Sequence, residues 1–349
     1  MTYRTGVKWM AALGIAAGAG AAAAAAIRAA RRIDLRDRVV IVTGGSRGLG
    51  HTIAEEFLHR GAKLAICSRH RDELTRAEED FRRRGGDVLG VTCDLMERTQ
   101  AEAFIAKVLD HFGRIDILVN NAGQCFVGPA VELTPEDLDH ALRGIFWCQY
   151  YPTMAVLPHM RSRRFGRIVN VTSIGGKVPT PHMAAYNTAK YASTGWSETL
   201  AVELAKEGIR VSTVTPPTLK DGALMPVHFN GRAEEELLWF GRSLTSPLRA
   251  TDPRRAARAV VEAAEYGDPQ TAVSPLSWMM QRAHGLAPNL MTPLLSLVDR
   301  FYLPDPGPPG RTSRMVLGSE IAARDPDRRI QSAASRAIDD AAKYRPAAV

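Results

Sequence analysis

Cysteine is scarce in this sequence: the 349 residues include four, Cys67, Cys93, Cys125 and Cys148. No two of them are separated by only two residues, and none lies near a histidine at zinc-like spacing, so the sequence predicts no metal site. Cys67 and Cys93 fall in apolar, strand-like runs. That position predicts small buried side chains in a reducing compartment.

The sequence also lacks a nucleic-acid-binding signature, because no dense basic run stands beside exposed aromatic residues. No internal repeat is visible. The formal net charge is +8, from 45 Lys and Arg against 37 Asp and Glu. Such a balance suits a phosphate-bearing cofactor or an anionic membrane surface. We therefore expect a small-molecule substrate and no nucleic-acid partner.

Charge is nearly absent from residues 7–27, where Lys8 is the one charged residue among mostly Ala and Gly. About 20 apolar residues span a bilayer as a helix. More basic residues follow the run than precede it, which predicts that the body of the protein stays in the cytoplasm. We expect membrane association through residues 7–27. A cleaved signal peptide and a helix of a soluble cytoplasmic protein are the alternatives.

From residue 34 onward, short β-branched runs alternate with amphipathic stretches of helix length. Six strands are predicted at 39–43, 63–67, 87–93, 115–120, 167–172 and 210–216, with a shorter one at 270–274. This alternation is typical of a parallel sheet covered by helices on both faces, a doubly wound α/β fold of about seven strands. We expect an apolar segment at 1–33, a Rossmann-type domain at 34–275 with a substrate loop at 217–250, and a partly ordered C-terminal extension at 276–349.

A glycine-rich turn, TGGSRGLG (43–50), directly follows the first strand and precedes a helix. Such a turn lets the backbone approach a pyrophosphate, and the helix N-terminus offers unpaired N–H groups to the phosphates. The strand–turn–helix context makes a dinucleotide site the favoured interpretation.

Arg69 follows the second strand, where a dinucleotide fold presents its end to the adenosine ribose. An acidic residue there would repel a 2′-phosphate, but Ser68 and Arg69 occupy the position. Arg47 lies inside the glycine-rich turn. Because Arg is suited to bidentate phosphate contact, the sequence predicts NADP(H) over NAD(H).

Tyr186 and Lys190 stand four residues apart at the start of a helical stretch, which places them on one helix face. Ser173 ends the preceding strand. A neighbouring ammonium group favours the phenolate form of a tyrosine, and a hydroxyl can orient a substrate oxygen. These three residues therefore fit proton transfer to or from an alcohol or carbonyl while a hydride moves to or from a nicotinamide.

With these motifs, residues 36–275 resemble the classical short-chain dehydrogenases/reductases, through TGGSRGLG (43–50), Asp94, NNAG (120–123), Ser173 and YNTAK (186–190). The resemblance implies that Tyr186 is the general acid/base, that Lys190 binds the nicotinamide ribose and lowers the pKa of the tyrosine, and that Ser173 orients the substrate. It implies an adenine contact at Asp94 and a role in stabilising the central strand for Asn120. The cofactor-binding residues that it implies are Thr43, Gly44, Ser46, Arg47, Gly48, Leu49, Gly50, Ser68, Arg69, Asp94, Leu95, Asn121, Ala122, Gly123, Tyr186, Lys190 and Pro216.

Two positions depart from the family pattern. Ile145 stands where the family carries an Asn that kinks its helix and holds a relay water, and Pro217 replaces a Gly after Pro216. Asp221 falls where a Thr often contacts the carboxamide. His182, four residues before Tyr186, is expected on the loop surface.

The sequence thus predicts an NADP(H)-dependent oxidoreductase that interconverts an alcohol and a carbonyl on a hydrophobic substrate. The family resemblance adds the expectation of a homo-oligomer. The departures at Ile145 and Pro217 suggest the alternative, a low-turnover NADP(H)-binding scaffold or redox sensor. An epimerase or dehydratase is less favoured because its glycine spacing differs.

Overall fold

The computed structural model of the protein describes residue 20 and residues 22–220, 224–246, 250–307, 314–324, 332 and 335. Asp221 lies outside these residues, and so do residues 1–19 and 21, which include most of the apolar run 7–27. Within them, no helix has both the length and the apolar character needed to cross a membrane.

A parallel seven-stranded sheet forms the centre of the fold. In spatial order its strands are β3 (Val88–Thr92), β2 (Lys63–Ser68), β1 (Val39–Thr43), β4 (Ile117–Asn120), β6 (Gly166–Val171), β7 (Ile209–Thr215) and β9 (Gln270–Ala272). Every predicted strand is present; most are short apolar runs that the sheet buries, whereas the edge strand Gln270–Ala272 is partly exposed. The doubly wound α/β prediction is confirmed.

Helices cover both faces of this sheet. One face packs on α1 (Gly48–His59), α2 (Arg71–Arg83) and α8 (Pro253–Tyr266), and the other on α3 (Arg98–Phe112), α5 (Cys148–Ser162) and α6 (Ala184–Glu203). Alternate residues of each strand enter the two cores: Val40 and Val42 lie in one, Val39 and Ile41 in the other. Burial of both faces is the physical reason that the strands are continuously apolar.

The chain order reverses between β1 and β4, which are neighbours in the sheet. From β1 the chain proceeds outward to β2 and β3, and from β4 it proceeds to the opposite side. In an open sheet of this kind, ligands bind outside the carboxyl ends of the strands at such a reversal. The fold therefore places its candidate site above the ends of β1 and β4.

A small second sheet lies beside this edge, with β8 (His228–Phe229) between β5 (Phe126–Val127) and β10 (Val316–Leu317). It joins the loop after β4, the substrate loop and the C-terminal extension. Around it lie α4 (Pro135–Leu142), α7 (Ala233–Thr245) and α11 (Gly318–Ala323), while α9 (Pro275–Leu286) and α10 (Pro288–Tyr302) follow β9 as a helical hairpin.

The residues that follow the apolar segment pack against the opposite, amino-terminal edge of the sheet. A helical turn covers 22–30, and the backbone N–H of Ile33 then donates to the carbonyl oxygen of Glu265 at 3.0 Å. Arg28 forms an ion pair with Asp268 at 2.8 Å, and its guanidinium lies over the Tyr266 ring. The chain is thereby fixed to the end of α8.

Candidate active site

The glycine-rich turn joins β1 to α1 in a conformation that needs glycine. Gly44 and Gly48 have φ angles of 66° and 54°, a region that other residues rarely adopt. A Cβ on Gly50 would overlap the carbonyl oxygen of Gly44, so the helix approaches the strand end closely. Arg47, at the N-cap, contributes no side-chain cap to the first-turn amides. These amides are therefore directed at the cleft, as a bound pyrophosphate requires.

Thr43 connects this turn to the segment after β4. Its Oγ1 accepts hydrogen bonds from the backbone N–H groups of Asn121 and Ala122 at 2.9 and 3.0 Å. The Asn121 side chain donates in turn to the carbonyl oxygen of Thr43 at 3.1 Å. Gly44 lies so close to Ala122 that a Cβ on it would stand 3.2 Å from the Ala122 Cα. The glycine-rich turn and NNAG thus form one continuous cleft floor.

The ends of β2 and β3 form the far end of this cleft. Ser68 Oγ accepts from the backbone N–H of His70 at 3.2 Å, which fixes the turn after β2. Asp94 Oδ1 accepts from the N–H of Met96 at 3.0 Å, and Leu95 is buried. Ser46 and Leu49, on the glycine-rich turn, are partly buried.

The two arginines of the cofactor prediction differ in their partners. Arg69 Nη1 lies 4.0 Å from Asp94 Oδ2, and its side chain is half exposed at the cleft edge. Arg47 instead forms an ion pair with Glu73 of α2 at 3.0 Å. The guanidinium group of Arg69 is therefore less closely paired with a carboxylate than that of Arg47.

Tyr186 and Lys190 lie on one face of α6, as their spacing predicts. The Lys190 Nζ stands 5.8 Å from the centre of the Tyr186 ring and donates to the carbonyl oxygen of Val171 at 3.1 Å. Lys190 is buried, and this burial lowers its pKa to about 8. A cation that is buried beside a phenol favours the ionised phenol.

Ser173 approaches the same tyrosine through the turn that follows β6. Its Oγ accepts from the N–H of Gly175 at 3.1 Å. A Cβ on Gly175 would stand 3.2 Å from Cε1 of Tyr186, so the turn packs on the ring. The N–H of Ile174 donates to the carbonyl oxygen of Pro216 at 2.9 Å. The structure therefore brings Ser173, Tyr186, Lys190 and Pro216 together at one edge of the sheet.

Gly123 connects the two halves of the cleft. A Cβ on it would stand 3.9 Å from the Lys190 Nζ, so the cleft floor continues from the glycine-rich turn to Lys190.

A buried amide network supports this edge from below. Asn120 Nδ2 donates to Thr153 Oγ1 and to Asn170 Oδ1, each at 2.8 Å. Asn170 Nδ2 donates to Ser197 Oγ at 2.9 Å. The network joins β4 and β6 to α5 and α6, the structural role expected of Asn120.

The helix irregularity near Ile145 is present although the family Asn is not. Residues Arg143–Trp147 form a wide π turn between α4 and α5. Ile145 is buried in an apolar cluster with Phe126 and Ala189. The Cys148 thiol lies 3.2 to 3.3 Å from the carbonyl oxygens of Gly144, Ile145 and Ala122. At this turn the Cys148 thiol, rather than a side-chain amide, contacts the backbone carbonyl oxygens.

Gln149 is a site residue that the sequence alone did not indicate. Its Nε2 donates at 3.3 Å to the carbonyl oxygen of Val171, the same atom that accepts from Lys190. Gln149 is fully buried, and its Oε1 has no hydrogen-bond partner within the described residues. No motif links it to Lys190, because the two lie on different helices.

Pro217 lies just beyond Pro216, in a segment that backbone hydrogen bonds hold in place. The carbonyl oxygen of Thr218 accepts from the N–H of Thr251 at 2.8 Å, and the N–H of Lys220 donates to the carbonyl oxygen of Thr251 at 3.0 Å. The segment is therefore fixed without the N–H that Pro217 lacks.

The side chain of His182 is only 8% exposed, so the expectation of a loop-surface position is wrong. Its Nδ1 lies 2.6 Å from Glu236 Oε1 on α7, and its Nε2 lies 3.3 Å from Asp299 Oδ1 on α10. The carbonyl oxygen of His182 also accepts from the N–H of Gly128 at 2.6 Å. His182 thus links the N-terminus of α6 to the substrate loop and to the C-terminal extension.

A dinucleotide cleft that leads to a Ser, Tyr and Lys group on a doubly wound sheet defines the class of nicotinamide-dependent oxidoreductases. The sequence pattern of the family described as short chain dehydrogenase matches residues 38–228. The chain belongs to this family.

Curated relatives agree with the assignment. A tropinone reductase homolog of Arabidopsis thaliana is 32% identical over 236 residues, which cover 67% of this chain and 72% of the relative. The oxidoreductase UcpA of Salmonella typhimurium is 36% identical over 187 residues, which cover 52% of this chain and 69% of the relative.

Solved structures share the fold. A short-chain dehydrogenase from Streptomyces avermitilis is 27% identical with a TM-score of 0.65, and the match covers 76% of this chain and 98% of that one. A variant actinorhodin polyketide ketoreductase, solved with NADPH, is 28% identical with a TM-score of 0.59, covering 68% and 95%. A Burkholderia phymatum enzyme, solved with NAD, shares the fold at 23% identity and a TM-score of 0.66, covering 74% and 96%.

Proposed function

We propose that this oxidoreductase uses NADP(H) to interconvert an alcohol and a carbonyl on a hydrophobic substrate. The observation that carries the proposal is the position of Tyr186, between the turn of Ser173 and the buried ammonium group of Lys190. A phenol beside a cation and a hydroxyl is suited to proton exchange with an oxygen atom.

The side chains have separate tasks in this mechanism. Ser173 holds the substrate oxygen, and Tyr186 donates its phenolic proton to that oxygen during reduction and takes it back during oxidation. Lys190 stabilises the phenolate that remains, because its positive charge is poorly screened in a buried site. The bound nicotinamide would supply or accept the hydride. The carbonyl oxygen of Val171 accepts from Lys190 and so fixes the position of the ammonium group.

The preference for NADP(H) rests on Arg69. Its half-exposed guanidinium stands at the end of β2, where the adenosine ribose of a dinucleotide would lie. Its nearest carboxylate, on Asp94, is at the limit of ion-pair distance, so the guanidinium can turn toward a 2′-phosphate. Arg47 would join it only after release from Glu73.

The surroundings of Tyr186 support a hydrophobic substrate. The tyrosine packs against an apolar cluster that includes Met183, Leu237 and Phe240, with Trp239 partly buried at its margin. Met183 directly precedes α6, and the other three residues lie on α7 of the substrate loop. An apolar substrate group would gain about 25 cal/mol for each Å² that it buries there.

Membrane association through residues 7–27 stays a prediction of the sequence. Carbonate extraction of membranes tests it: release of the protein into the soluble fraction would contradict a membrane anchor.

The proposal is tested by a screen of apolar and polar carbonyl compounds that follows NADPH oxidation, with Tyr186→Phe as the diagnostic variant. We expect apolar ketones or aldehydes to be reduced, and we expect Tyr186→Phe to lower kcat by about 10²–10⁴-fold with little change in NADPH affinity. Exposed Tyr302→Phe, on the C-terminal extension, is the matched control. Full turnover by Tyr186→Phe would refute the assigned role.

A further inference from the structure

Arg167 has a buried guanidinium group that its surroundings do not neutralise. The residue is the second of β6, at the amino-terminal edge of the sheet, and is 5% exposed. Its Nη2 donates to the carbonyl oxygen of Arg31 at 2.6 Å. Its Nε and Nη1 are buried and have no hydrogen-bond partner within the described residues. A buried charge without a counterion is unfavourable, so this group needs an explanation.

The charged groups around Arg167 are mostly of the same sign. Burial first, and then the charges of Arg210, Arg31 and Arg38, lower the pKa of Arg167 to about 10. The opposing carboxylate, Asp268, is already paired with Arg28 at 2.8 Å. Among the described residues, neither Arg31 nor Arg210 has an ion-pair partner.

The buried carboxylates at this edge are also committed. Glu265 pairs with Arg32 at 2.6 Å and with Arg60 at 3.0 Å. Asp116, directly before β4, receives Arg114 at 2.6 Å, Arg163 at 2.9 Å and Arg38 at 3.5 Å. One buried carboxylate therefore serves three arginines, and this edge of the sheet carries an excess of positive charge. That excess attracts anions from solution.

The C-terminus of α8 offers only a partial counterion. Arg167 packs against Gly267, where α8 ends, and a Cβ at Gly267 would overlap its guanidinium. A helix C-terminus carries about half a negative charge. That partial charge cannot offset Arg167 together with three neighbouring guanidinium groups.

We propose that Arg167, with Arg31, Arg38 and Arg210, binds an oxyanion of the phosphate class at the amino-terminal edge of the sheet. The site lies at the opposite end of the strands from the dinucleotide cleft and does not depend on the proposed reaction. Arg31, Arg38 and Arg210 are partly exposed, so their long side chains can open a path to Arg167. The unused N–H donors of Arg167 would then form charge-assisted hydrogen bonds with the anion.

The phosphate group has two candidate sources, a soluble phosphate and the headgroup of an anionic lipid. The site lies against Arg31, a few residues after the apolar run 7–27. Basic residues that follow such a run attract anionic headgroups. The two sources share their chemistry and are separated below by vesicles.

Thermal unfolding of the full chain with inorganic phosphate tests the site, against sodium chloride at the same ionic strength. We expect phosphate well above its Kd to raise Tm by about 2–4 °C. Arg167→Met should remove this increment and should unfold in chloride no earlier than the wild type, because an unpaired buried charge is gone. Arg210→Gln, at the partly exposed rim, should raise the half-effective phosphate concentration about tenfold.

Two controls locate the effect. Arg98→Met removes an exposed arginine on α3 and should keep the full increment. Arg69→Ala alters the cofactor cleft and should also keep it. Absence of a phosphate increment in the wild type would overturn the proposal. So would an increment that Arg69→Ala loses and Arg167→Met retains, because the anion would then occupy the cofactor cleft.

Vesicles identify the source. If Arg167→Met weakens binding to phosphatidylglycerol vesicles and leaves binding to phosphatidylcholine vesicles unchanged, the anion is a lipid headgroup. If the phosphate increment depends on Arg167 but vesicle binding does not, the anion is a soluble phosphate. Both results support the site.

Discussion

The ammonium group of Lys190 stands 5.8 Å from the centre of the Tyr186 ring, and the carbonyl oxygen of Val171 fixes it there at 3.1 Å. The four-residue spacing on α6 places both side chains on one helix face, and β6 supplies the anchoring carbonyl. A cation at this distance favours the phenolate form of the tyrosine. The chemistry we propose depends on this relationship.

Lys190 gives the cofactor-free protein a distinctive pH dependence. Its pKa is lowered from 10.5 to about 8 by burial. Below pH 8 the lysine is charged in both states, so the full cost of burying the charge is present. Between about pH 8 and 10.5 the unfolded chain binds the proton and the native protein does not, so stability rises with pH.

We therefore expect the wild type to gain stability over Lys190→Met across this interval, by at most about 3 kcal/mol. Urea unfolding at pH 7, 8 and 9.5 measures it. A stability difference between the two proteins that does not change with pH would contradict the lowered pKa.

Arg69→Ala tests the preference for the phosphorylated cofactor. Loss of a charge-assisted contact with the 2′-phosphate should weaken NADPH binding by about 10–100-fold, while NADH binding should change by less than about twofold. Fluorescence titration of each cofactor measures both. Arg98→Ala serves as the charge-matched control, and equal losses for the two cofactors would refute the assignment.

Gln149→Leu tests the contact that no motif revealed. Gln149 and Lys190 donate to one carbonyl oxygen of Val171, so removal of the amide leaves that oxygen to Lys190 alone and should draw the ammonium group toward it and away from Tyr186. We expect kcat to fall about tenfold with KM nearly unchanged. We also expect a change in the pH above which activity falls. Gln149→Glu should not restore kcat, because a carboxylate has no N–H to donate to the Val171 carbonyl oxygen. A KM effect alone would mean that Gln149 shapes the substrate pocket.

Asn120→Leu should destabilise the fold by about 2–3 kcal/mol. The substitution leaves the side-chain oxygen of Asn170 and the hydroxyl of Thr153 with one hydrogen-bond partner fewer. In a buried setting an unsatisfied polar group costs about 1–3 kcal/mol. The denaturation midpoint measures the loss. Exposed Val202→Ala is the control, and a loss equal to that of the control would show that the network adds no stability.

The inner strands were predictable because they are apolar runs that the sheet buries on both faces, as Val39–Thr43 shows. The cofactor cleft and the Tyr186–Lys190 pair were predictable because glycine conformation and helix spacing are local properties. The second sheet was not, since two-residue strands such as Phe126–Val127 have no periodicity. The buried His182–Glu236 pair could not be inferred either, because it depends on how α7 packs.

The π turn at Arg143–Trp147 shows another limit of the sequence. The family pattern links that irregularity to an Asn, and this chain carries Ile145 there. The bulge persists, and the Cys148 thiol contacts the carbonyl oxygens of that turn. Such a backbone feature is set by surrounding contacts rather than by one side chain.

Parallel fluorescence titrations of NADPH and NADH into the full chain test the proposed cofactor preference without any knowledge of the substrate. We predict tight binding of NADPH and weak binding of NADH. Failure of both cofactors to bind would contradict it, because the cleft from Gly44 to Lys190 would then not be a nicotinamide site.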